Sequence, residues 1–201
     1  MKRIAVFFSG GGTDFQAVID GQRDKKFDGE IVVSVTSNSK AYGIERAKAA
    51  GIPCYVCRKA DFPSEAARDE RILEILKQYG VELVVLAGYL GILTDCLVKS
   101  YPRAIINIHP ALLPKFGGKG MFGMNVHRAV IAAGETKSGA TVHYVDGGTD
   151  TGEIIMQRAL DVLPDDTPES LQRRILNEIE HPLLVEAIDK VIKNSEFGIK
   201  N

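Results

Sequence analysis

Short β-branched apolar runs alternate with helix-like segments through the first half of the chain, and this alternation limits the possible folds more than any other feature. RIAVFFS, EIVVSVTS, PCYVC, ELVVLAG and AIINIH read as strands, separated by stretches such as YGIERAKAAG and SEAARDERILEILKQYG. A strand that is apolar almost without interruption must be covered on both faces. The spacing therefore predicts an α/β fold with a Rossmann-like, mostly parallel sheet and helices on both faces. In the longer helical segment Ala67, Ile72, Ile75 and Leu76 keep an apolar stripe, with Ser64 placed to cap its start.

Beyond residue 115 the pattern changes. KFGGKGMFGMN is rich in glycine, a helix is expected at about VHRAVIAAG, and SGATVHYVD and GEIIMQRALDV, joined through GGTDTG, read as a hairpin or bent pair. The final helical stretch, TPESLQRRILNEIEHPLLVEAIDKVIK, is expected to be capped by Thr167, to carry Pro168 in its first turn and to kink at Pro182. No internal repeat or low-complexity linker divides the chain. A single domain over 1–201 is expected, its first half, to about residue 100, resembling a nucleotide-binding unit.

Composition excludes several classes of function. Lysines and arginines number 25 against 26 aspartates and glutamates, a formal charge of -1, and the basic residues are scattered, so nucleic acid is not an expected partner. The apolar run near the start is short and ends in glycines, as a first strand does and a signal peptide does not. No stretch approaches a membrane-spanning length. Three cysteines, Cys54, Cys57 and Cys96, are too few and odd in number for a disulfide framework. A cytoplasmic protein acting on small molecules, as monomer or homodimer, is the expectation. Cys54 and Cys57 have the spacing of zinc ligands, but no second pair accompanies them, so no metal is expected.

SGGGTDFQAVI leads from the first strand into a helix, and successive glycines let backbone amides approach an anion at the helix start. Phe15 stands where a dinucleotide fingerprint needs its third glycine, and no Gly-Lys-Ser/Thr of a Walker loop follows. A phosphate cradle and a plain strand-to-helix turn capped by Thr13 or Asp14 both remain open.

The second polar feature is NIHPALLP. Asn107 and His109 lie two residues apart on a strand, so both side chains leave on one face near its carboxyl end, where open α/β sheets bind ligands. A carboxamide and an imidazole aimed at one point suit acyl transfer, in which preorganised donors stabilise a developing oxyanion, each contributing roughly 3 to 4 kcal/mol. A neighbouring carboxylate would keep the histidine protonated. Asp146 and Asp150, in VDGGTDTG, are the candidates, and spacing does not choose between them. Ser9 lacks a nucleophile-elbow context and Cys96 falls in a helix, so direct transfer or hydrolysis without a covalent intermediate is expected.

FSGGGTDFQ, AYGIERAKAAGI, LVVLAGYLGIL, NIHPALLP, SGATVHYVDGGTDTGEII and EIEH together resemble the glycinamide ribonucleotide formyltransferases of purine biosynthesis, over nearly the whole chain. The resemblance implies formyl transfer from the co-substrate 10-formyltetrahydrofolate to the primary amine of glycinamide ribonucleotide. It implies catalytic roles for Asn107, His109 and Asp150, phosphate contacts at Gly12, Thr13 and Asp14, and a ribose contact at Glu180. Folate is implied along Leu86, Leu90, Ile92 and Leu93, making about 101–201 the folate-binding and catalytic half. A cis peptide between Leu113 and Pro114 is implied as well.

The chain departs from that family's usual pattern in four places. Asp14 stands where asparagine is usual, Gly91 replaces an arginine, Glu65 lies where an arginine is often near, and the 116–126 loop is longer. A formyltetrahydrofolate hydrolase shares the same three polar residues but carries an additional amino-terminal domain, and methionyl-transfer-RNA formyltransferases add a carboxyl-terminal one. A non-catalytic folate or nucleotide binder is the alternative from another class.

Overall fold

A computed structural model describes residues 1–197. Its centre is one seven-stranded sheet: β1 (Lys2–Phe8), β2 (Gly29–Thr36), β3 (Cys54–Val56), β4 (Leu83–Leu86), β5 (Ile105–His109), β6 (Lys137–Tyr144) and β7 (Ile154–Asp161), in the spatial order β3-β2-β1-β4-β5-β6-β7. The first five strands are parallel, while β6 runs antiparallel to both β5 and β7. The hairpin expected through GGTDTG is therefore present, and it closes one edge of the sheet.

Helices α1 (Thr13–Arg23), α2 (Gly43–Ala49), α3 (Glu65–Gln78), α4 (Asp95–Ser100), α5 (Met124–Ala132), α6 (Pro168–Arg174) and α7 (His181–Phe197) complete the chain. Alternate residues of β1 serve two separate cores. Ile4, Val6 and Phe8 join a cluster with Phe15 and Val18 of α1 and Leu183, Leu184 and Ile188 of α7. Ala5 and Phe7 join the other, with Ile72, Ile75 and Leu76 of α3 and Leu97 of α4. This two-sided burial is the physical reason that the strand sequences lack polar alternation.

Helix ends follow local chemistry in two cases and break from expectation in two. Ser64 accepts from the Ala67 amide, and Thr167 with Ser170 forms a reciprocal capping box ahead of α6, with Pro168 at its start. At α1 the alternative of a cap by Thr13 or Asp14 is not realised: Gly12 occupies the cap position at φ 69°, in the left-handed region, and no side chain caps the turn. A side chain cannot sit at Gly12, because its Cβ would come within 2.9 Å of the Gly43 backbone. The kink expected at Pro182 takes another form, a π-helical turn over Ile175–Glu180 between α6 and α7. Pro182 has no N–H to close an α-helical turn, and the widened turn just before it takes up the irregularity.

The strand order reverses between β1 and β4. The carboxyl ends of β1, β4 and β5 thus share one rim, the place where such sheets form their ligand crevice.

Candidate active site

The catalytic-looking cluster is assembled by strand register. Asn107 of β5 lies directly across from His143 of β6, and His109 across from Thr141. Antiparallel pairing puts opposed residues on the same face, so one histidine faces the carboxamide and the other lies one pair further along. The Asn107 Nδ2 is 3.1 Å from His143 Nε2, while His143 Nδ1 lies 2.8 Å from the Tyr144 carbonyl oxygen. Because a carbonyl only accepts, Nδ1 carries the proton, and the Nε2 of the neutral ring accepts from Asn107.

His109 is buried, and both of its nitrogens face acceptors. Nε2 lies 2.8 Å from the Phe116 carbonyl oxygen, and Nδ1 lies 3.6 Å from Asp150 Oδ2, an ion-pair approach longer than a hydrogen bond. Only the imidazolium satisfies both neighbours at once. Asp150 Oδ1 is in turn 3.5 Å from His143 Nε2, and its Oδ2 accepts from the Gly118 amide at 3.0 Å. His143 Nε2 cannot accept from Asn107 and donate to Asp150 together, so the shorter contact to Asn107 belongs to the neutral ring and the Asp150 contact to the protonated one. Burial by itself pushes the Asp150 carboxyl up, but His143, the Gly118 amide and the charge of His109 outweigh it and hold the group below the usual carboxylate range.

Asp146, which spacing alone left level with Asp150, does different work. It is exposed and accepts from the Gly148 amide and the Thr151 hydroxyl, the local chemistry of a turn. That turn delivers Asp150 in the left-handed region, at φ 58°, to the two histidines.

Two contributions were not anticipated from sequence. His143 is one; its signal is a histidine on the strand that runs straight into the aspartate loop, but only the register with β5 reveals what it faces. The other is the glycine-rich loop, whose Phe116 carbonyl and Gly118 amide grip His109 and Asp150. Behind β5, Thr141 donates to the Ala111 carbonyl at 2.6 Å, accepts from the Leu113 amide at 3.1 Å, and accepts from Gln157 at 2.8 Å. The Leu113–Pro114 peptide in this turn is cis. His127 of α5, buried with its Nδ1 unpaired, is pushed down to about 4 by burial and then by the charge of His109, so it stays neutral beside the cluster.

A second polar cluster sits at the start of α1. Gly10 and Gly11 border open space, whereas the backbone carbonyl of Gly11 accepts from Arg46 at 2.8 Å. Thr13 opens the helix. Asp14 is 8% exposed, with its Oδ1 lacking a hydrogen-bond partner and 3.8 Å from His181 Nε2. Burial raises its carboxyl to about 6, and burial together with Asp14 raises that of Glu180, which the π-turn points inward, well above the usual range.

The four apolar residues assigned to folate by resemblance divide. Leu86 lies in the core at the end of β4 and Leu93 packs partly against it, whereas Leu90 and Ile92 are 61% and 68% exposed on the segment between β4 and α4. Leu90 donates its amide to Ser9 Oγ at 2.8 Å, which ties this segment to the glycine turn. Among the described residues no group of three or more histidine, cysteine, aspartate or glutamate side chains is arranged to hold a metal.

Comparison with known proteins places these features in context. The formyl transferase family model matches residues 2–188. A chloroplastic phosphoribosylglycinamide formyltransferase of Arabidopsis thaliana is 44% identical over 98% of this chain and 69% of its own length. A phosphoribosylglycinamide formyltransferase of Bacillus subtilis is 37% identical over the whole of both chains. Among solved structures, glycinamide ribonucleotide transformylase 1 of Symbiobacterium toebii superposes with a TM-score of 0.90 at 41% identity, covering 96% of this chain and 89% of its own.

Proposed function

The chain belongs to the formyl transferase family, and from that premise we propose that it transfers the formyl group of 10-formyltetrahydrofolate to the amine of phosphoribosylglycinamide in purine biosynthesis. The observation that carries the mechanism is the convergence of Asn107, His109 and Asp150 at the carboxyl end of β5.

The substrate amine attacks the formyl carbon, a C–N bond forms, and the formyl oxygen becomes an oxyanion. Asn107 donates its second amide N–H to that oxygen, and the positive charge of the His109 imidazolium, whose own N–H groups face the Phe116 carbonyl and Asp150, stabilises it electrostatically; both are fixed before the reaction begins, which is what makes such groups effective. His143 holds the Asn107 amide in orientation. The intermediate collapses by breaking the bond from carbon to the folate N10. The amine loses a proton and N10 gains one, and Asp150, beside His109, is placed to carry that proton, either directly or through water. No charge is left over, and tetrahydrofolate leaves.

The phosphate of the ribonucleotide belongs at the amides of Gly12, Thr13 and Asp14, where the first turn of α1 offers unpaired N–H groups and the positive end of the helix dipole. Glu180 lies beside this turn and suits the ribose hydroxyls. Formylfolate lies along Leu86, Leu90, Ile92 and Leu93. The three free cysteines suit a reducing compartment, the cytoplasm.

The test is tetrahydrofolate formation by the purified protein with and without the ribonucleotide. Release that requires the ribonucleotide is the expected result. Release without it would identify a hydrolase, and no release under either condition would overturn the reading.

A further inference from the structure

A buried ion pair on α3 has no part in the chemistry just described. Arg68 is 2% exposed and Asp69 is fully buried. Arg68 Nε and Nη2 both donate to Asp69 Oδ1, at 2.8 Å and 2.6 Å. Such a pair is expensive to desolvate and is often no better for stability than apolar residues of the same volume. Two further hydrogen bonds of the pair go to one segment. Arg68 Nη2 also donates to the carbonyl oxygen of Ile92, and Asp69 Oδ2 accepts from the amide of Thr94 at 2.6 Å.

The segment they grip has no regular secondary structure between β4 and α4. A peptide in such a segment is free to turn over unless something holds it. With the Ile92 carbonyl and the Thr94 amide drawn inward by opposite charges, the Ile92 side chain is left facing outward, as is that of Leu90. Tyr89 backs the same segment. Its ring packs edge-on against Phe7 at 5.3 Å, and a Cβ on Gly91 would come within 2.6 Å of it, so the turn is shaped against the ring. The amino-terminal end is pinned separately by Ser9 through the Leu90 amide.

We propose that Arg68 and Asp69 are positioning residues for formylfolate: they set the backbone of Leu90–Thr94 from behind, so that its outer face presents one fixed wall to the co-substrate. The proposal rests on the reading that formylfolate lies along this segment. It predicts a selective defect. Loss of the pair unsettles the wall and leaves the glycine turn, Glu180, Asn107, His109 and Asp150 in place.

The experiment measures KM for 10-formyltetrahydrofolate and for the ribonucleotide separately in Arg68→Met and in Thr94→Pro. The second variant removes the Thr94 N–H, along with a hydroxyl that makes no hydrogen bond, and keeps both ions, so it remains informative if Arg68→Met does not fold. The expected result is a rise of about tenfold or more in KM for formylfolate in each soluble variant, with KM for the ribonucleotide within about twofold. Equal rises in both KM values, or no rise in either, would overturn the proposal. Ile92→Asp alters the wall itself and separates the two ideas. If it raises KM for formylfolate while Thr94→Pro does not, the positioning role fails alone; if neither moves it, the placement of formylfolate fails as well.

Discussion

Two buried carboxyl clusters, each with a histidine beside it, have opposite electrostatics. At the end of β5, Asp150 is surrounded by His109, His143 and the Gly118 amide, and it stays below the ordinary carboxylate value despite burial. At the start of α1, Asp14 and Glu180 are buried against each other, and His181 at 3.8 Å is itself pushed down by burial and then by Arg46. Both carboxyls there rise. Burial raises a carboxyl in both places, so the neighbours decide the outcome. One cluster holds its carboxylate charge to lower pH than usual, and the other takes up a proton more readily than an ordinary carboxyl.

The largest effects are expected where the charge is kept. Asn107→Ala, which removes a preorganised donor, and His109→Ala and Asp150→Asn, which remove the stabilising charge and the proton carrier, should each lower kcat by about a hundredfold or more, with KM values changed far less. Steady-state kinetics on the purified variants checks this. Losses confined to KM would show that these residues bind substrate without taking part in the transfer.

His143→Ala comes next and sharpens the comparison, because it makes the cluster at the end of β5 more like the other. Without His143, Asp150 loses one of the groups that hold it down, and Asn107 loses its orienting acceptor. Turnover should fall by about tenfold, and the acid limb of the kcat profile should move to higher pH. An unchanged limb would mean that Gly118 and His109 suffice to hold the Asp150 charge.

How far these clusters were legible in sequence follows the same division. The fold was visible because continuous apolar strands between helical stripes admit few arrangements, and Asn107 and His109 were visible because they share a strand at i and i+2. Asp150 was not separable from Asp146 by spacing; the family resemblance chose it, and in the structure Asp146 is occupied within its own turn. His143 was hidden because its role depends on the β5–β6 register, which two strands separated by a long loop do not reveal. Gly12 as the cap of α1, and the π-turn that brings Glu180 inward, were hidden for another reason. A cap by Thr13 or Asp14 was the local alternative at α1, and the close approach of Gly12 to the Gly43 backbone overrode it; at Pro182 the expected irregularity took the form of a π-turn just before the proline, which periodicity does not distinguish from a kink.

Asp14→Asn tests the other half of the comparison. A carboxyl whose folded value is raised from 3.8 to about 6 favours the fold below about pH 4, and this contribution is lost as pH rises through about 6. The wild-type protein should therefore lose stability over that interval, and the variant should lose less. At pH 7.5 the variant should be more stable by up to about 3 kcal/mol, less whatever Glu180 takes up of the same proton. Thermal melts from pH 4 to pH 8 measure it. The KM for the ribonucleotide should also fall at neutral pH, since a negative charge is removed from the turn proposed to hold the phosphate. A variant less stable than wild type at pH 7.5 would mean that the Asp14 charge is compensated by a contact stronger than His181.

The smallest effect should come from Asp146→Asn, although Asp146 lies only four residues from Asp150. Its carboxylate is exposed and bonded to Thr151 Oγ1 and the Gly148 amide, and an asparagine oxygen can accept both bonds. What changes is a charge in open solvent, where such charges contribute less than about 1 kcal/mol. Turnover should stay within a few-fold of wild type, and the pH profile should be unmoved. Set beside the loss expected for Asp150→Asn, the same chemical substitution in the same loop would then separate a carboxylate that shapes a turn from one held against two histidines. A large loss in Asp146→Asn would instead mean that the charge of the turn itself reaches His143.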